Sequence, residues 1–336
     1  MMADPLLARA VRAAKWARGT AGRAKRRAER MDTVPTLGVR AGAGTPVRPL
    51  HLSLLGGRTL NLAVTSPTPD AELAGAQLHL VSRGTTHRLP LEREPQPHGE
   101  ILLTLTTPLR HALHDAPEAR GPRLRDGRWR LVLVTEDRAG RVRRTPLAAP
   151  PPVPLADGPT LAGPPDPRTG VRHRVMRTVD GHAVLKVAGP RRQAELVALD
   201  LAWDHITVRG RVLGTDVPTG AAWQAEAVRR GTGGAALPIA TRWDGDAFAF
   251  ELPLAEMTGP GQAQRVWDVR LRTDSGKLRI ARKLTDVRHP RRVFRTPFRS
   301  IATADGSVLR VHAHLAASGT LAVACARVVS SEDSTR

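Results

Sequence analysis

Trp129-Arg130-Leu131-Val132-Leu133-Val134-Thr135 leads into a glycine-containing turn and an arginine-rich return, and the same order recurs at Trp267-Asp268-Val269-Arg270-Leu271-Arg272-Thr273. The two tryptophans lie 138 residues apart in a chain of 336. A repeat of that length is a duplicated domain, because solenoid units recur at roughly 20–50 residues. Trp267, Val269 and Leu271 face one way, and Asp268, Arg270 and Arg272 the other. That alternation marks a half-buried strand. Trp129 and Trp267 are read as equivalent core residues.

The pattern extends on both sides. Leu50–Leu54 and Leu60–Val64 alternate about a turn at Gly56-Gly57, and further strands are expected at Gln77–Ser82, Thr86–Leu91, Glu100–Thr106 and Arg141–Leu147. In the second copy Leu199–Trp203 and Ile206–Val208 match the first hairpin. Phe248–Pro253 matches Ile101–Pro108, and each copy has a strand closing at Gly-Thr (84–85 and 231–232). Gly220-Ala221 is expected to open a strand as Gly75-Ala76 does. Closely spaced strands with no helical period between them indicate antiparallel sandwiches. The expected fold is all-β: two tandem immunoglobulin-like antiparallel β-sandwiches preceded by a basic amphipathic helix. Arg110–Arg125, an insertion in the first copy, is expected to be a surface loop.

The helix is expected over residues 1–31. Leu6, Leu7, Ala10, Val11, Ala14, Ala17 and Ala21 share one face, and Arg9, Arg12, Lys15, Arg23, Arg26, Arg27 and Arg30 the other. Such a helix suits an anionic membrane surface, although its apolar stripe is thin. Residues 32–47 read as a linker and 48–150 as the first sandwich. A proline-rich linker at 151–168 leads to the second sandwich at 169–290. Residues 291–329 form a hairpin that either completes a sandwich or starts a truncated third unit. Thr178-Val179-Asp180-Gly181 and Thr303-Ala304-Asp305-Gly306 are both hairpin turns, Asp-Gly being a strong signal.

Lys and Arg outnumber Asp and Glu by 52 to 31, yet only five of the basic residues are lysine. Arginine, alanine, glycine and proline in such excess fit a GC-rich genome, so codon bias and an anionic partner both account for the charge. Arg288, Arg291, Arg292, Arg295 and Arg299 crowd a stretch without acids. They suit a phosphate-bearing partner, or a strand edge protected against aggregation. Nucleic acid is disfavoured, because stacking aromatics are few: six Trp, four Phe and no Tyr.

The single cysteine, Cys325, excludes an internal disulfide and a Cys-based zinc site, and reads as a small buried hydrophobe. No apolar run is long enough for a membrane helix, and the N-terminus lacks a signal-peptide core. The chain is therefore expected inside the cell. Phosphate-loop, nucleophile-elbow and His-Glu-x-x-His motifs are absent from the sequence. His111 with His114, and His312 with His314, share faces without an evident third metal ligand. No catalytic residue, metal or cofactor is expected. Trp203 and Trp243 sit beside turns, where an exposed ring stacks on a sugar.

Trp203-Asp204-His205-Ile206-Thr207-Val208-Arg209-Gly210, Trp267-Asp268-Val269 and Arg279-Ile280-Ala281-Arg282 resemble β-sandwich modules of high-GC bacteria. Those modules accompany glycosyltransferases and CDP-glycerol glycerophosphotransferases that build teichoic-acid-like wall polymers. The resemblance covers roughly residues 48–325 and implies a noncatalytic accessory of cell-envelope polymer synthesis. Its partners would be a wall-polymer transferase or an anionic glycopolymer at the cytoplasmic membrane face. The alternative is that the chain is itself a glycosyl- or glycerophosphotransferase.

Overall fold

The computed structural model describes residues 36–40, 44–116, 118, 120–151, 164–214, 223–231, 234–259, 263–273, 276–282, 287, 293–316 and 318–328. The helix expected over 1–31 lies outside them, as does the Gly220-Ala221 strand opening. The described residues are nearly all β. No helix among them is long and apolar enough to cross a membrane.

Strand β1 is the short Thr36–Leu37, followed by β2 (His51–Leu55), β3 (Thr59–Thr65), β4 (Leu73–Ser82) and β5 (Thr85–Pro90). Next come β6 (Glu92–Pro95), β7 (Ile101–Pro108), β8 (Arg110–His111) and β9 (Arg123–Leu124). The long β10 (Gly127–Asp137) returns as β11 (Val142–Pro146), and a hairpin of β12 (Arg172–Thr178) and β13 (Ala183–Ala188) follows. The second half holds β14 (Gln193–Leu201), β15 (Ile206–Leu213), β16 (Gln224–Arg229), β17 (Ala236–Ile239), β18 (Arg242–Asp244) and β19 (Ala247–Glu251). After one helical turn at Leu254–Met257 come β20 (Arg265–Thr273), β21 (Gly276–Arg282), β22 (Arg299–Ala302), β23 (Val308–Leu315) and β24 (Leu321–Val328).

Hydrogen-bond registers show the duplication directly. In the first half β12-β13-β10-β4-β5 lie side by side, and β2-β3-β7-β6 form a second sheet. In the second half β23-β24-β20-β16-β17 and β14-β15-β19-β18 repeat both orders. One edge of β10 serves β13 and then β11, while the same edge of β20 serves β24 and then β21. Each half also has a parallel link between its two layers, Val47 to Leu147 and β14 to β21. The second link is three residue pairs long, so the second half's strands join into one continuous sheet of 11.

Each half encloses its own apolar core. Leu60, Leu62 and Val64 of one layer meet Leu78, Leu80, Trp129, Leu131 and Leu133 of the other. Trp267, Val269 and Leu271 occupy the matching places among Ile206, Val208, Phe248 and Phe250. Both tryptophans are buried with their indole N–H satisfied, by the Arg125 carbonyl at 3.1 Å and the Met257 carbonyl at 2.7 Å.

The hairpin β12–β13 belongs to the first core. Arg128 opposes Lys186 and Trp129 opposes Leu185 across β10 and β13, and Val171, Ala183, Leu185 and Val187 are buried with the first-half residues. The division at residue 169 read from the sequence differs from this. A local Asp-Gly turn identifies a hairpin but not the strand edge that receives it. The C-terminal hairpin adds β24 to β20 and sends Leu309, Val311, Leu321 and Val323 into the second core. The insertion expected as a surface loop is instead anchored: Leu124 and His111 are buried, and β8 pairs with β9.

Between the halves, the fully buried Glu195 on β14 accepts a hydrogen bond from Arg211 Nε at 2.5 Å. The same guanidinium donates to the carbonyls of Pro167 and Arg168. One ion pair, buried on its carboxylate side, thus ties the segment before β12 to the second sheet.

Candidate functional site

Trp203 caps the β14–β15 hairpin, beyond the reach of the core, and is 76% exposed. The tip is closed by Ala202 N–H to His205 O at 3.0 Å and by Asp204 Oδ1 with His205 Nδ1 at 2.7 Å. Ala302 N–H donates to the Trp203 carbonyl at 3.2 Å, so the tip rests on the end of β22. At the other end of that strand, about 13 Å away for four extended residues, stands Phe298, also exposed.

Phe298 begins a stack. The Arg310 guanidinium carbon lies 4.4 Å from its ring centroid and His312 lies 4.3 Å away. His314 continues the stack, 4.5 Å from His312. Arg310, His312 and His314 alternate along β23 and so share a face. His312 Nε2 contacts the Thr296 carbonyl at 3.0 Å and His314 Nδ1 the His312 carbonyl at 3.1 Å. Carbonyls only accept, so each of those nitrogens carries a proton. Burial, and next the neighbouring His314, push the His312 pKa down, which favours its neutral form at pH 7. Arg295 and Arg299, close to Phe298 in sequence, are exposed. Rings and cations together offer stacking surfaces and charge-assisted donors, the means of holding a sugar phosphate.

The structure separates the two tryptophans expected to hold glycan. Trp243 is half-buried, donates its N–H to the Trp223 carbonyl at 3.1 Å and packs 5.5 Å from Phe248. Its ring supports the second core and is not paired with Trp203. Of the cations expected to meet an anion or membrane, Arg295 is described and exposed. Arg9, Arg12, Lys15, Arg23, Arg26, Arg27, Arg30, Arg288, Arg291 and Arg292 lie outside the described residues.

Two buried histidines, His111 and His173, are held by hydrogen bonds within the fold. His111 stacks on His114 at 4.7 Å, and its Nε2 lies 2.9 Å from Asp126 Oδ1, which also accepts Gly189 N–H. Among the described residues no group of three or more His, Cys, Asp or Glu side chains is arranged to hold a metal. His173 escaped the sequence reading because it sits in an unremarkable alternating strand. It is buried, its Nδ1 meets the Gly57 carbonyl at 3.0 Å, and its Nε2 has no hydrogen-bond partner among the described residues. Burial pushes its pKa down.

Comparison with protein-family models and with curated proteins finds no match. Among solved structures the chain is similar to a fragment of S. aureus TarS (217-571), with 10% identity, 70% of this chain and 62% of that one covered, and a TM-score of 0.30. It is also similar to a longer S. aureus TarS chain, with 12% identity, coverage of 63% and 37%, and a TM-score of 0.29. The full extracellular region of plexin A4 follows at 11% identity, coverage of 76% and 33%, and a TM-score of 0.14. The chain spans less than two thirds of each. Likenesses this distant carry no weight for function.

Proposed function

We propose that this chain is a noncatalytic accessory of cell-envelope polymer synthesis, in which two immunoglobulin-like units present a binding surface to an anionic glycopolymer or its transferase. The strand orders β2-β3-β7-β6 and β5-β4-β10-β11 follow the layering of an immunoglobulin-like sandwich and support that part of the reading. The observation that carries the function is the pair of exposed rings, Trp203 and Phe298, at the two ends of β22, with the Arg310 guanidinium stacked on Phe298. Aromatic faces suit sugar rings, and guanidinium groups suit phosphodiesters.

The reading places the protein at the cytoplasmic membrane face, held there by residues 1–31. Basic residues near an anionic surface contribute on the order of 1 kcal/mol each. Retention on immobilised poly(glycerol phosphate) tests the surface. Trp203→Ala and Phe298→Ala are each expected to weaken retention several-fold without lowering the melting temperature, because both rings are exposed. Unchanged retention in both variants removes this surface from the proposal.

A further inference from the structure

The two copies differ in charge at one rung of the duplicated sheet. Arg130 opposes Val81 in the first copy, and Asp268 opposes Val228 in the second. That register aligns Val81-Ser82-Arg83-Gly84-Thr85 with Val228-Arg229-Arg230-Gly231-Thr232. In the second copy Arg230 donates from Nε and Nη2 to Asp268, at 3.1 and 2.6 Å. In the first copy the carboxylate is replaced by Arg130. There Arg83, Arg128 and Arg130 line one concavity of about 710 Å³, completed by Val81, Ser82, Gly84 and Gly127.

The positive charge continues across the sheet. Arg128 on β10 directly opposes Lys186 on β13, which directly opposes Arg174 on β12. Like charges facing each other across strands are destabilising. Among the described residues, none of Arg83, Arg128, Lys186 or Arg174 lies within ion-pair distance of a carboxylate. In the second half Arg209, Arg211, Arg230, Arg242, Arg270 and Arg272 all pair with carboxylates. Codon bias supplies arginines but does not account for a carboxylate beside Arg230 in one copy and an arginine at the same rung in the other. Arg83 also has φ +39°, a left-handed conformation unfavourable for a residue with a Cβ.

We propose that Arg83, Arg128, Arg130, Lys186 and Arg174 form a binding site for a linear phosphodiester polyanion lying across the strands, with one phosphate group in the concavity. Strands spaced about 4.8 Å apart extend the row over roughly 15 Å, which matches successive charges on an extended chain better than a single ion. No aromatic ring lines the concavity, so base stacking adds nothing, and a polymer without bases is favoured over nucleic acid. This inference rests on the glycopolymer reading and locates a second, purely electrostatic contact for it on the first unit.

Titration of the full chain with fluorescent linear inorganic polyphosphate tests the site, beside a single-stranded oligonucleotide of equal charge and vesicles rich in anionic lipid. Arg130→Asp reproduces the charge of the second copy, and an Arg128→Gln/Lys186→Gln/Arg174→Gln variant neutralises the row without adding an acid. Both are expected to bind polyphosphate at least tenfold more weakly at low salt, with melting temperatures equal to or above that of the parent. The triple variant's salt slope is expected to fall by about 2, at roughly 0.7 per cation.

Undiminished polyphosphate binding by a folded triple variant overturns this site but leaves the glycopolymer reading standing. Failure of the parent to bind either polyphosphate or poly(glycerol phosphate) overturns both. Tighter binding of the oligonucleotide than of polyphosphate, or a loss confined to the vesicles, overturns the choice of ligand.

Discussion

His173 shows how one side chain sets a condition on the whole fold. Its Nδ1 is committed to the Gly57 carbonyl, and its buried Nε2 has no acceptor for a second proton. Burial lowers its folded-state pKa below the ordinary 6.5, so as pH falls through 6.5 the unfolded chain takes up a proton that the folded chain resists. Stability is therefore expected to be full above about pH 7 and to fall toward pH 5, with a limiting slope of about 1.4 kcal/mol per pH unit for one resisted proton. Urea midpoints against pH measure this, and His173→Gln is expected to flatten the curve. His79, His87 and His312 shift in the same direction, so some slope remains. Cys325 gives a second test. Burial pushes its thiol pKa up to about 12, so a disulfide reagent at pH 8 is expected to leave it untouched until denaturant is added. Rapid labelling of the native protein would show that β24 is not packed as described.

Among the elements, β15 is tightly constrained by its neighbours at Gly210. A Cβ placed on Gly210 would lie 2.2 Å from Phe248 Cζ and 2.5 Å from the Glu195 carbonyl oxygen. Ring and backbone block it together, so Gly210→Ala is expected to destabilise the protein by about 3 kcal/mol, the upper end for overpacking. A melting temperature unchanged by that substitution would place β14, β15 and β19 further apart than described. The strands themselves were legible in the sequence because alternation survives wherever one face is buried: β3 follows it throughout, β10 over Arg128–Leu133 and β20 over Trp267–Leu271. Other features depended on distant partners. The Arg110–Arg125 stretch carries turn residues throughout, yet Leu124 and His111 fill space that only the folded first unit defines. The β12–β13 hairpin was recognisable as a hairpin, but its attachment to β10 depends on a core contributed by residues far upstream.

Over the whole molecule, the Trp129 and Trp267 segments sufficed to reveal a duplicated architecture, because a buried tryptophan with a satisfied N–H is hard to replace without loss of packing. The candidate surfaces were only partly legible. Trp203 stood out as a turn aromatic, whereas the alignment of Arg128, Lys186 and Arg174 exists only in the cross-strand register. The two halves repeat their strand orders and differ in dress: one sets Arg128, Lys186 and Arg174 in a row, the other carries an exposed tryptophan and an arginine stacked on Phe298. Both features motivate the proposal that the chain binds a phosphate-bearing sugar polymer. The decisive measurement incubates the purified full chain with radiolabelled CDP-glycerol and a poly(glycerol phosphate) acceptor, following acceptor retention and label incorporation together. Salt-sensitive retention with no label in the polymer is the expected result; incorporation of label by the protein alone would contradict it.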